Sequence, residues 1–163
     1  MSGDILTLVG VILLLILASA FFSSAETALT AASDARMRQL ASKGNRRARL
    51  VEQLRDDREG LIGSILIGNN AVNVIASALA TSVFISILDD AGVVWATITM
   101  TIILVVFAEV MPKTYALTHS DKYALMIAPP VRIVVLVLRP LSMALSVLAN
   151  SLISKRRTDE SDR

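Results

Sequence analysis

Apolar residues run without a single charge from Ile5 to Ala25, from Leu61 to Leu88 and from Ala91 to Ala108, and charged residues fill the spaces between. A helix needs roughly 20 apolar residues to cross a bilayer. The pattern therefore predicts three membrane helices, with spans near 5–30, 61–88 and 91–112, the last two joined through an Asp89-Asp90 turn. Two further segments have a different pattern. Residues 34–60 are dense in charge of both signs, with an apolar edge from Leu40, Leu50, Val51 and Leu54. This predicts a helix along the membrane surface, its basic residues toward anionic head groups, although a solvated connector would account for the charges equally well. Tyr123–Leu138 is apolar but interrupted by Arg132, broken by Pro129-Pro130 and closed by Arg139-Pro140. It is expected to form a broken juxtamembrane helix, continuing to about 153. A flexible tail over 154–163 would come next, as the start of a linker to a cytoplasmic domain outside this chain.

Composition sharpens the class. With 54% hydrophobic and 18% charged residues and a mean hydropathy of +0.64, the chain is an all-α integral membrane protein with one transmembrane domain over 1–153. It has no cysteine, which excludes disulfides, thiolate metal sites and cysteine nucleophiles.

The charges set an orientation. Eight Lys and Arg residues, from Arg36 to Arg58, separate the first two spans, and Lys113 and Lys122 come after the third. The N-terminal residues and the Asp89-Asp90 turn have none. The positive-inside rule puts the N-terminus outside and the 34–60 segment and the C-terminus in the cytoplasm of a multi-pass cell-membrane protein. Crossing by 123–138 would carry Lys155-Arg156-Arg157 outside, against that rule. Ala18-Ser19-Ala20 resembles a signal-peptide cleavage site, but Asp4 and the absence of an N-terminal positive charge favour a retained first span.

Polar residues inside the spans carry the chemistry. Glu109 ends the third apolar run and is followed by Val110-Met111-Pro112-Lys113. A charged side chain costs about 2.5–3.5 kcal/mol at a membrane-helix centre on insertion scales, and less near an end. Pro112 is expected to interrupt the helix and free the carbonyl of Ala108, which would put a carboxylate beside an open backbone oxygen. A plain Glu109–Lys113 pair at the interface is the alternative. Asn69, Asn70 and Asn73 lie in the second span, with Asn69 and Asn73 on one face. Ser23 and Ser24 lie at the inner end of the first span, beside Glu26 and Thr27. All are hard oxygen donors, suited to Mg²⁺, Ca²⁺ or Na⁺. The same residues could instead hydrogen-bond neighbouring helices, and Ser64-xxx-Gly68 and Ala76-xxx-Ala80 have the spacing of close helix packing and of a dimer. Catalysis is not expected. His119 is the only histidine, and pairing it with Ser23 or Ser24 as an intramembrane hydrolase has no further nucleophile–base spacing behind it. No phosphate-binding glycine loop or aromatic platform for nucleic acid is present.

Ser23-Ser24-Ala25-Glu26-Thr27-Ala28, Gly68-Asn69-Asn70-Ala71-Val72-Asn73 and Glu109-Val110-Met111-Pro112-Lys113 together resemble the transmembrane domain of the CorC/CNNM family. The resemblance implies a homodimer with three membrane helices per subunit and a cytoplasmic belt of juxtamembrane helices. It also implies Mg²⁺ export driven by inward Na⁺, with a nucleotide-binding CBS-domain pair and a further domain beyond the membrane part. It points to Ser23 or Ser24, Asn69, Asn70, Asn73 and Glu109 as the ion ligands. Two functions remain in view: a Mg²⁺ carrier working by alternating access, and a membrane anchor and dimerisation module for a cytoplasmic regulatory domain.

Overall fold

The computed structural model describes the backbone of residues 2–161 and the side chains of residues 3–148. Every regular element among the described residues is helical: α1 (Ser2–Ala31), α2 (Asp34–Ser42), α3 (Arg46–Asp56), α4 (Arg58–Leu88), α5 (Gly92–Ile103), α6 (Met111–Thr118) and α7 (Ser120–Ser161). A 3₁₀ turn, Asp89–Ala91, joins α4 to α5, and a π-helical segment, Leu104–Val110, joins α5 to α6.

At 1.5 Å per residue the 30 residues of α1 extend about 45 Å, beyond the roughly 30 Å hydrocarbon core. The chain leaves α1 through Ser33, whose side chain accepts from the Arg36 amide as the N-cap of α2. It enters α4 through Asp57, which caps the Gly60 amide at 3.1 Å. At the far end of α4, Asp89 takes a positive φ of 49° and reverses the chain. Ser77 and Thr81 of α4 then share a cavity with Thr97 and Thr101 of α5, so the two helices form an antiparallel hairpin.

Two apolar clusters hold the helices together. Ile12 and Ile16 of α1 meet Ala76, Ala80 and Val83 of α4, Met100 of α5 and Ala108 of the π segment. The alanines let backbones approach closely, as packing in lipid requires. The second cluster joins Ala25, Ala28 and Leu29 of α1 to Val51 and Leu54 of α3, Leu61 and Ile65 of α4, and Ile127 and Val131 of α7. Outside these clusters the surface is apolar too: Leu13, Leu14, Leu17, Val74, Ile98 and Ile102 are all exposed. A surface so rich in bare aliphatic side chains has lipid as its solvent. Among the described residues three helical runs are long and apolar enough to cross a membrane: Gly3–Ala31, Arg58–Thr118 and Ser120–Leu148, the last being the segment expected to lie at the surface. The second is 61 residues long and folds back at Asp89. The protein is an all-α membrane protein.

Helix α7 makes its described contacts at one end of the bundle. Asp121 accepts from the Ser33 amide at 2.8 Å, Tyr123 meets Ser24 at 3.0 Å, and Arg139 pairs with Asp57 at 3.2 Å. Ser142 packs on Gly63. Two expectations are corrected here. The 34–60 segment is not one helix. Gly44, at φ +90°, supplies a left-handed turn after α2, and Asn45 caps α3 by accepting from the Arg47 and Ala48 amides. Helix α7 is not broken at Pro129, Pro130 or Pro140. Ile127, Ala128 and Val131 are buried around the proline pair, and packing holds the helix through the lost backbone bonds. The helix extends to Ser161 and so takes in most of the stretch expected as a flexible tail, whose last two residues lie outside those described.

Candidate ion-binding seam

The polar residues of the spans collect where α1 packs against α4. Ser19 and Ser23 are one helical turn apart and face the same way, as do Asn69 and Asn73. The Ser19 hydroxyl, fully buried, donates to Asn69 Oδ1 at 2.8 Å, which sets the depth at which the two helices meet. One turn further along α1, the Phe22 ring lies on the backbone of α4 at Gly68. A Cβ at Gly68 would fall 2.7 Å from Phe22 Cζ, so any other residue there would displace the ring.

Among the described residues, three side-chain oxygen atoms are buried with no hydrogen-bond partner: Ser23 Oγ, Ser64 Oγ and Asn73 Oδ1. This is unusual because a membrane-helix hydroxyl has a ready acceptor one turn back. Thr27 takes that option, donating to the Ser23 carbonyl at 3.1 Å, and Thr30 donates to the Glu26 carbonyl at 2.8 Å. An unsatisfied buried polar group costs about 1–3 kcal/mol. Of the three, one lies on α1 and two on different faces of α4, each with lone pairs to spare.

Glu109 lies on the π segment, which packs against α1 as α4 does, with Ala108 in the same apolar cluster as Ile12, Ile16 and Ala76. Asn73 lies 16 residues before Asp89 and Glu109 lies 18 residues after Ala91. At helical rise both are about 24–27 Å from the hairpin turn, the π segment shortening the second path slightly. They share a depth. Glu109 is half-buried, and among the described residues it makes neither an ion pair nor a hydrogen bond. The interfacial Glu109–Lys113 pair is therefore not formed.

The expected break at Pro112 is replaced by the π segment. The Met111 amide reaches back five residues to the Val106 carbonyl. Proline has no amide hydrogen and its ring crowds the carbonyl four residues back; a wider turn just before it accommodates both features without a break. The consequence is local: Glu109 lies in the widened turn, beside the fully buried Ala108.

Not every expected residue joins the seam. Ser24 is buried but turned to α7, bonded to Tyr123 Oη and to the Phe21 carbonyl, each at 3.0 Å. Asn70 is exposed on the outer face of α4. Ser23, Asn69 and Asn73 line the contact with α1 or α4, and Glu109 lies on the π segment. Ser19, in the seam, and Ser64, buried on another face of α4, are not among the expected ligands. In the sequence Ser19 belongs to a pattern resembling a cleavage site, and Ser64 to a small-residue packing motif. The signal for Ser19 is its four-residue spacing from Ser23; that for Ser64 is its place one turn before Gly68.

The donor set is one carboxylate with hydroxyl and amide oxygens. Among the described residues no three His, Cys, Asp or Glu side chains gather into a metal cluster. Oxygen donors with a single negative charge are of the type that suits a hard cation.

The sequence profile of the CNNM family, described as the cyclin M transmembrane N-terminal domain, matches residues 10–163. The chain is 46% identical over 106 residues to UPF0053 inner membrane protein YfjD of Escherichia coli, covering 65% of this chain and 25% of that protein. It is 34% identical over 146 residues to a UPF0053 protein of Haemophilus influenzae, covering 90% of this chain and 35% of the relative. A chloroplastic DUF21 domain-containing protein of Arabidopsis thaliana is 35% identical over 141 residues, covering 86% of this chain and 21% of its own length. The chain thus spans about a fifth to a third of these relatives.

Proposed function

The chain belongs to the CNNM family of cyclin M transmembrane domains, and we propose that it binds Mg²⁺ between α1, α4 and the π segment and carries it across the membrane. The observation behind this reading is the buried, unpartnered Asn73 Oδ1 with an unpaired Glu109 carboxylate at its depth, together with the buried, unpartnered Ser23 Oγ and Ser64 Oγ elsewhere on α1 and α4. Each of these groups is poorly satisfied by protein alone; one hard cation would serve Asn73 and Glu109 at their shared depth, and Ser64, about 13 Å away along α4, would meet it only further along its path. Mg²⁺ tends to keep part of its water shell and to take few protein ligands, which suits a site with one carboxylate. Na⁺ suits the neutral oxygens and is proposed as the coupling ion.

Transport requires the ions to stabilise inward- and outward-open states differently. The π segment is the element suited to that role, because a π turn that relaxes to α-helix rotates everything beyond it. The proposed orientation has the N-terminus outside and α2, α3 and α7 along the cytoplasmic surface, with two copies of the chain meeting as a homodimer.

The Ser19–Asn69 bond favours a second reading, since it is an interhelical hydrogen bond of the kind that simply holds membrane helices together. On that reading the domain is an anchor. Mg²⁺ flux into or out of proteoliposomes containing the chain separates the two. A carrier loses flux in Glu109→Gln and Asn73→Ala, whereas an anchor has none to lose.

A further inference from the structure

A cavity of about 170 Å³ opens between α3 and α7, away from the seam. Leu50 and Leu54 of α3 and Leu136 of α7 give it an apolar floor, and Arg132 and Arg139 stand at its two ends. The arginines are seven residues apart on one face of α7, about 10 Å along the axis, with Leu136 between them. Their situations differ. Arg139 is paired with Asp57, which also lines the cavity, at 3.2 Å. Arg132 is exposed and makes no ion pair or hydrogen bond among the described residues.

The neighbours of Arg132 make its unpaired state significant. Ile133, Leu136 and Val137 are each at least 60% exposed, so this guanidinium projects from an aliphatic surface of a membrane protein. An unpaired charge on a lipid-facing surface is costly, and long basic side chains relieve that cost by reaching head-group level. A guanidinium is also the side chain whose fork matches a phosphate. Gln53, across the cavity on α3, offers an amide donor to the same space.

We propose that this cavity is a binding site for an anionic phospholipid, with the head-group phosphate on Arg132 and an acyl chain along Leu50, Leu54 and Leu136. Asp57 neutralises Arg139 and leaves the Arg132 end as the one for the phosphate. A lipid held there bridges α3 and α7, two helices that otherwise meet through the apolar contacts of Leu54 and Val131 and the Asp57–Arg139 pair. The site is independent of the cation seam.

Thermal unfolding of the whole chain in detergent, titrated with phosphatidylglycerol, phosphatidylcholine or soluble glycerol phosphate, tests this. Phosphatidylglycerol should raise the midpoint saturably, and the other two should not. Arg132→Gln should weaken the apparent phosphatidylglycerol affinity about tenfold, the worth of one charge-assisted contact. Arg132→Lys, which keeps the charge and loses the fork, should recover only part of it. Arg47→Gln, an exposed basic residue at the start of α3, should change it by less than about twofold. Equal losses in Arg132→Gln and Arg47→Gln would mean diffuse surface charge and overturn the site. A full shift with glycerol phosphate alone would make the occupant a soluble phosphate and overturn the lipid assignment. Should Arg132→Gln not fold, Arg132→Lys behaving as wild type would overturn it equally.

Discussion

Ser19 Oγ and Asn69 Oδ1 lie 2.8 Å apart across the contact of α1 and α4, and this bond fixes the register of the two helices. With Ser19 level with Asn69, Phe22 falls on Gly68 and Ile16 falls in the same cluster as Ala76. The bond also distinguishes the two asparagines. Asn69 already has a protein partner for its carbonyl oxygen, and Asn73 does not. Asn73 is thus the stronger candidate for direct contact with a cation.

Breaking that bond should loosen the bundle modestly. Ser19→Ala and Asn69→Ala, combined in a double-mutant cycle on thermal unfolding in detergent, are expected to couple by about 0.6–1.7 kcal/mol. Strictly additive effects would show that the bond contributes nothing to the fold.

Gly68 should tolerate no side chain while Phe22 is present. Gly68→Val is expected to cost about 1–3 kcal/mol through overpacking, and Phe22→Ala in the same chain should remove much of that penalty. Unfolding midpoints of the two single variants and the double variant provide the comparison. No rescue would mean that the clash lies elsewhere.

Asp57 caps α4 and pairs with Arg139, so its loss should exceed that of its partner. Asp57→Ala is expected to cost about 1 kcal/mol from the cap alone. Arg139→Gln should cost about 0.2–1 kcal/mol, because the pair is nearly half exposed. Equal losses would put the whole effect in the ion pair.

The π segment allows a test by deletion. A π turn is an α-helix with one residue inserted. Deleting Val106 should close the widened turn to α-helix while α6 keeps its facing, remove the local displacement at Glu109 and abolish cation binding, with helical content by circular dichroism unchanged. Retained binding would mean that the widened turn is incidental.

How much of the fold is legible in the sequence depends on which forces act locally. The spans and the hairpin turn at Asp89 can be read directly, because an uncharged run of membrane length has few other fates. Gly44-Asn45 is a readable helix break that the charge pattern around it obscures. The continuity of α7 through Pro129-Pro130 cannot be read, since it rests on α1, α3 and α4 packing against Ile127 and Val131. The π segment is foreshadowed by Pro112 as an irregularity, but its form depends on the burial of Ala108 against Ile12 and Ile16. At the candidate site, oxygen-bearing residues can be named from composition and spacing. Separating Ser23, which faces α4 without a partner, from Ser24, which faces Tyr123, requires the rotation of α1 against its neighbours.

The most direct test of the central claim is Mg²⁺ binding to the purified chain in detergent, measured by calorimetry for wild type and Glu109→Gln with and without Na⁺. Saturable binding to wild type is predicted, weakened by Na⁺ and lost in Glu109→Gln, with both proteins unfolding at similar temperatures. Equal binding by the two proteins, or none by either, would contradict the claim and leave the seam as helix packing alone.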